Sequence, residues 1–168
     1  MHTIVIRTTY QIKRRDNWRM TTEIKIKKLS EHATIPTRGS EEAAGCDLYA
    51  NIEEKPYYTV ILPGDTEFIK TGISMEIPEG FGGFIYARSG LASKRGLRPA
   101  NCVGVVDSDY RGEIIVALHN DSIEEQAVGN GDRIAQMVIA PYLKPEFAEV
   151  ESLTDTERGD GGFGHTGK

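Results

Sequence analysis

Five short stretches of this chain carry side chains suited to holding and cutting an anionic small molecule. In Ala44-Gly-Cys-Asp-Leu-Tyr-Ala50, Asp47 is the sole charge in a small, apolar run. Such a carboxylate is costly inside a core unless it is paired or meets a metal; a strand-end aspartate bonding a turn is the plainer alternative. In Ala87-Arg-Ser-Gly-Leu-Ala-Ser-Lys94, Arg88 offers a planar fork of donors that matches phosphate. Ser89 adds a hydroxyl and Gly90 lets backbone N–H groups come close. A helix starting there favours an anion at its N-terminus, although an ordinary strand-to-helix turn with a surface arginine fits equally well. In Asn101-Cys-Val-Gly-Val-Val-Asp-Ser-Asp-Tyr-Arg-Gly-Glu113, an apolar, hairpin-like run leads into Asp107, Asp109 and Tyr110. Backbone groups of such a hairpin can read a base edge, and Asp107 is a candidate general base for water; a plain β-turn with solvated acids is the alternative. In Gly131-Asp-Arg-Ile-Ala-Gln136, Gln136 is polar within an apolar strand and needs a partner if buried, or else faces outward. The last stretch, Arg158-Gly-Asp-Gly-Gly-Phe-Gly-His-Thr-Gly-Lys168, strings an arginine, an aromatic, an imidazole and a hydroxyl on a glycine-rich thread. Such a thread can fold over a ligand, with Phe163 on a ring and Arg158 on phosphate. It does not match the P-loop pattern G-x-x-x-x-G-K-[ST] and follows no strand.

These residues need a rigid frame, and the pattern supplies strands. From Met20 to Glu151 there is no long helical period. Glu23 to Lys27 alternates, Tyr57 to Leu62 is β-branched and aromatic before the turn signal Pro63-Gly64-Asp65, and Phe68 to Ile77 alternates in part. Glu113 to Leu118 and Ile134 to Ile139 are short apolar runs bounded by Gly112 and Pro141. Strands so punctuated predict an all-β sandwich or barrel. One short helix is expected from Ser89, acting as N-cap, to about Lys94.

Composition narrows the classes. The chain has 168 residues, enough for one domain with a sizeable core. Its formal charge is −5, which argues against a general nucleic-acid or anionic-membrane binder. No apolar run approaches the roughly 20 residues needed to span a membrane, and residues 1–6 hold no signal-peptide core; a cytoplasmic protein is expected. Cys46 and Cys102 lie far from any CxxC or histidine partner, so both read as reduced, small hydrophobes. Residues 1–19 carry five cations against Asp16 alone, leaving 15 basic and 24 acidic side chains in the rest. This leader reads as an upstream start or cloning-derived extension, a basic arm, or a transit peptide. Of 18 glycines, five fall in the last eleven residues, so the surplus over average usage is mainly one feature, a flexible C-terminal arm.

In order and spacing the five stretches resemble the five motifs of the trimeric dUTPase (deoxyuridine triphosphate nucleotidohydrolase) family. Ala87-Arg-Ser-Gly-Leu-Ala92, Gly104-Val-Val-Asp-Ser-Asp-Tyr-Arg-Gly112, Gly131 to Gln136 and Arg158 to Gly167 are the specific parts, and the resemblance runs from about Thr22 to Lys168. It implies a jelly-roll β-fold of the β-clip type over residues 20–151, with the arm at 152–168 covering the active site. It also implies a homotrimer whose sites are shared between chains. The implied reaction is dUTP plus water giving dUMP and pyrophosphate, with Mg²⁺ as cofactor, limiting uracil in DNA and supplying dUMP for thymidylate synthesis. By position, Asp107 would activate the water, and Asp47 would sit near the metal, acting through water. Arg88, Ser89, Gly90 and Gln136 would hold phosphates. Asn101 and the backbone from Gly104 to Val106 would read uracil, and Tyr110 would lie against the deoxyribose. Phe163 would stack on the base, while Arg158, Gly164, His165 and Thr166 would close the phosphate cage; His165 stands where the commonest family form has serine. The leader has no counterpart in the family pattern. Two rivals share the fold: a dCTP deaminase-related enzyme, and a dUTPase-like binding protein that nucleotide switches on or off.

Overall fold

The computed structural model describes residues 23–162. The leader, Phe163, Gly164, His165 and Thr166 therefore lie outside the described residues. Among the described residues there are twelve strands and one helix: β1 (Lys25–Lys28), β2 (Thr37–Arg38), β3 (Cys46–Tyr49), β4 (Tyr58–Ile61), β5 (Thr66–Lys70), β6 (Ile73–Glu76), β7 (Phe81–Tyr86), α1 (Ser89–Arg95), β8 (Leu97–Pro99), β9 (Gly104–Val106), β10 (Ile115–Asn120), β11 (Gln126–Gly129) and β12 (Arg133–Pro141). Every pairing is antiparallel. The largest sheet runs β2-β3-β12-β7-β9; a second runs β5-β10-β8, and β1-β6 and β11-β4 are two-stranded ribbons. This is the expected all-β, jelly-roll-like architecture with a single short helix.

In the longer strands the period-2 pattern puts one face inward. Along β10, Val116, Leu118 and Asn120 are buried while Ile115 is exposed. Val116 and Leu118 join Leu48, Ile61, Ile73, Leu97, Ile114, Val128 and Ile134 in one core. Asn120 is fully buried and its amide is satisfied on both sides. Nδ2 donates to the carbonyls of Ile61 and Glu124, and Oδ1 accepts from the Ser122 N–H and hydroxyl. Leaving that amide unpaired would cost about 1–3 kcal/mol, so Asn120 fixes how the loop after β10 meets the end of β4.

Three local expectations are corrected. The run from Phe68 to Ile77 is two strands, broken at Thr71-Gly72, where Gly72 has φ 68°, a left-handed backbone that favours glycine. Ser89 is not the N-cap of α1: Arg88 holds that place with extended backbone and no side-chain cap bond, and Gly96 (φ 67°) closes the other end. The stretch from Asn101 to Glu113 is not a ladder hairpin. Its first arm, β9, pairs with β7, while the chain after the turn enters β10, which pairs with β5 and β8. The segment is a crossing between two sheets.

Candidate functional site

The first group of predicted residues assembles where β3, β12 and the β7–α1 junction meet. Gln136 of β12 lies between Asp47 of β3 and Tyr86 of β7 in register, so these strands present their side chains to a common place. Arg88 Nε donates to Asp47 Oδ1 at 2.8 Å and Arg133 donates to Asp47 Oδ2 at 3.2 Å. Arg88 also reaches the Arg133 carbonyl at 3.4 Å. Gln136 Nε2 donates to the Ala87 carbonyl at 2.9 Å, which is the partner its sequence position demanded. A Cβ on Gly45 would come within 2.7 Å of Gln136 Oε1, so glycine there is what lets β3 pass under that amide. The result is a cradle of about 210 Å³ whose lining includes Asp47, Arg88, Ser89, Gly90, Arg133 and Gln136. The space over Gly90 is open. Two guanidiniums, a hydroxyl and unencumbered backbone fit an oligophosphate.

Arg133 was not singled out from sequence. Spaced three residues apart, Arg133 and Gln136 belong on opposite faces of a regular strand. The register shifts between Arg133 and Ala135, and this irregularity re-aims the strand so that both side chains line the cradle. The only local clue is a charged residue opening an otherwise apolar strand.

The second group lies elsewhere. Asn101, Gly104, Val106, Asp107 and Tyr110 line a recess of about 220 Å³ together with Ile85 and Glu113. Gly104 is held close: a Cβ there would lie 3.2 Å from Ile85 Cβ and 3.4 Å from Asn101 Nδ2. Its backbone, with that of Val105 and Val106, runs along the recess as a strand edge beyond which only β7 is paired. Asp107 follows β9 and is exposed. It borders both this recess and a wider one of about 540 Å³ bounded by Glu76–Glu79, Asp107–Asp109, Arg111, Tyr142 and Lys144. The cradle and the base-sized recess have no lining residue in common.

Asp47 sits between the two guanidiniums of the cradle. Both its oxygens are occupied by guanidiniums, and among the described residues no three His, Cys, Asp or Glu side chains gather to hold an ion. Arg158 is exposed, with Nε donating to the Gly161 carbonyl at 2.8 Å, and neither recess includes it. It lies on residues 142–162, a segment without regular structure that exposes Leu143, Phe147, Val150 and Leu153.

Comparison with known proteins bears directly on this geometry. The family profile for dUTPase matches residues 31–167. The deoxyuridine 5'-triphosphate nucleotidohydrolase of Nautilia profundicola is 50% identical over 146 residues, which is 87% of this chain and 99% of that one. A point variant of the Staphylococcus bacteriophage 80alpha dUTPase, solved with dUpNHpp, superposes with TM-score 0.79 at 28% identity, covering 88% of this chain and 100% of that one. A variant dUTPase from phage phi11 of S. aureus, solved with a structural Mg(II) ion, superposes with TM-score 0.68 at 27% identity, covering 78% of this chain and 98% of that one.

Proposed function

This chain belongs to the dUTPase family, and from that premise we infer that it hydrolyses dUTP to dUMP and pyrophosphate, with its two recesses serving the two ends of the substrate. The observation that carries the residue assignment is the position of Asp107: an exposed carboxylate at the end of β9, on the rim of the base-sized recess.

Uracil fits the recess bounded by Asn101 and the β9 backbone. Cytosine presents a donor where uracil presents an acceptor, so it leaves backbone groups unpaired, and such mismatches discriminate strongly. Tyr110 closes the sugar end. Arg88, Ser89, Gly90 and Gln136 hold the phosphates, and Arg133 joins them. Asp107 orients a water and takes its proton as the water oxygen bonds to the α-phosphorus. The bond from that phosphorus to the bridging oxygen of the β-phosphate breaks, and pyrophosphate leaves with the electron pair. Positioning and charge neutralisation supply most of the rate in such a displacement. Mg²⁺ carried in by the triphosphate would supply charge neutralisation there, with Arg88 and Arg133 holding the phosphates beside it. Asp47 serves by fixing Arg88 and Arg133.

Because the two recesses are separate on one chain, a complete site combines the base recess of one copy with the cradle of another. The apolar side chains on residues 142–162 fit a strap that lies along a neighbouring copy, and a homotrimer satisfies both. The arm, with Arg158, Phe163, Gly164, His165 and Thr166, closes over the nucleotide. No helix among the described residues is long and apolar enough to cross a membrane, and we place the enzyme in the cytoplasm. The test is pyrophosphate release from dUTP, dTTP, dCTP and UTP with and without Mg²⁺, alongside light scattering. Release from dUTP alone by a trimer is expected; ammonia release from dCTP would overturn the assignment.

A further inference from the structure

The crossing from Asp107 to Glu113 is held by its own bonds. The Tyr110 N–H donates to the Asp107 carbonyl at 3.2 Å. Arg111 donates to the carbonyls of Ser108 and Tyr110 at 2.7 and 2.9 Å. The Tyr110 hydroxyl folds back and donates to the Glu113 carbonyl at 3.0 Å. Glu113 is itself fixed, since its Oε1 accepts the Gly72 N–H at 2.8 Å. The tyrosine ring thus lies across Gly112. A Cβ on Gly112 would stand 2.3 Å from the Tyr110 hydroxyl oxygen, 2.5 Å from Cζ and 3.0 Å from Cε2. Gly112 is not among the glycines with positive φ, so its backbone conformation accepts any residue. What excludes a side chain is the ring.

We propose that Gly112 is a positioning residue for sugar selection: its bare Cα is the seat that lets Tyr110 lie down against Glu113 and narrow the recess where a ribonucleotide would place its 2′-hydroxyl. The proposal rests on the reading of Tyr110 as the residue facing the deoxyribose. The atoms that collide with an added methyl are the far end of a side chain, so the backbone stays and the ring lifts. Lifting it widens the sugar end without removing Asp107 or touching the cradle.

The experiment measures kcat and KM for dUTP and UTP in the full-length protein and in Gly112→Ala, Tyr110→Phe, Tyr110→Ala and the Gly112→Ala/Tyr110→Ala double variant. Thermal unfolding and oligomeric state serve as controls. In Gly112→Ala the dUTP-over-UTP ratio of kcat/KM should fall by about 10–200-fold, the range that one methylene-sized change in a pocket carries, with kcat for dUTP moving far less. In the Tyr110→Ala background the second substitution should leave the ratio unmoved, as expected for residues acting as one unit. Tyr110→Phe adds no atom and cuts only the tie to Glu113, so it should lose part of the ratio even if Gly112→Ala fails to fold. A Gly112→Ala enzyme with its preference intact, a double variant worse than Tyr110→Ala, or a Tyr110→Phe enzyme indistinguishable from wild type would each overturn the seat. A Tyr110→Ala enzyme that keeps its preference for dUTP would overturn the reading of Tyr110 itself, and the proposal with it.

Discussion

Asp47 and Asp107 are both aspartates of short-strand segments, yet their surroundings are opposite. Asp47 lies within β3 with its side chain 12% exposed, and each of its oxygens accepts a guanidinium N–H. Asp107 follows β9 and stands exposed at the rim of two recesses. The same contrast holds for the regions around them. The cradle is knit by bonds between residues 41 and 86 positions apart, so its shape is a property of the whole sheet. The turn after β9 is knit within itself by bonds spanning one to three residues, so its shape is mostly local, with one long-range tie from Glu113 to Gly72. A carboxylate with both oxygens on guanidiniums is placed to hold those cations; an exposed one at a recess rim is placed to meet water, which is the division of work proposed above.

The sharpest way to break this comparison is to neutralise the open carboxylate. Asp107→Asn keeps the shape of the turn and removes the base. Turnover should fall about 10²–10⁴-fold, the usual contribution of general-base catalysis, while binding of a non-hydrolysable dUTP analogue by calorimetry stays close to wild type. Near-normal turnover would end the assignment of Asp107.

Stopping the chain at Glu157 tests whether the arm belongs to the site rather than the frame. It removes Arg158 and the four predicted arm residues but nothing in the core. The melting temperature and oligomeric state should be retained, and turnover should drop by roughly 10-fold or more, as loss of a closing element that positions substrate costs. Unchanged turnover would show that the arm is not a lid.

Asp47→Ala attacks the locked carboxylate. Arg88 and Arg133 lose their common acceptor, at a cost of about 1.5–3 kcal/mol for hydrogen bonds to a charged group. The effect should appear as a lower melting temperature and a raised KM, with kcat less affected than in Asp107→Asn. Equal losses of kcat in the two variants would mean that Asp47 takes part in the chemistry.

What the sequence made legible follows the same division. The turn region reads well one residue at a time, because Asp107, Tyr110 and Gly104 line one recess from neighbouring positions in the chain. The cradle reads only in part. The charge of Asp47 in an apolar run calls for a partner, but nothing near it in sequence names Arg88 or Arg133, and the irregularity that turns Arg133 inward leaves no local mark. Ser89 looked like a cap because its type favours that place, yet the chain puts Arg88 there with no cap bond. The hairpin expected from Asn101 to Glu113 failed because strand pairing is decided by the rest of the sheet. The need for glycine at position 112 is invisible in sequence, since its backbone is ordinary and the constraint is a ring folded over it.

The smallest effect expected lies where β1 meets the body, on a glutamate that only edges the wider recess beside Asp107. β1 joins the body through its pairing with β6, and Lys25 donates to Glu76 at 3.0 Å across that ribbon. The bond to Lys25 and its charge hold the Glu76 carboxyl below the ordinary glutamate range; the Ser30 hydroxyl does the same for Glu53. A carboxyl whose folded pKa is depressed contributes stability above its unfolded value and loses it as pH falls through the folded one. Melting temperature should therefore decline as pH drops below the ordinary glutamate range, and Glu76→Gln should make that decline slightly shallower while changing little at pH 7, because both side chains are solvent-exposed and such pairs contribute little. If Glu76→Gln steepened the acid loss, or lowered turnover at neutral pH, β1 would be coupled to the site rather than simply fastened to the frame that carries it.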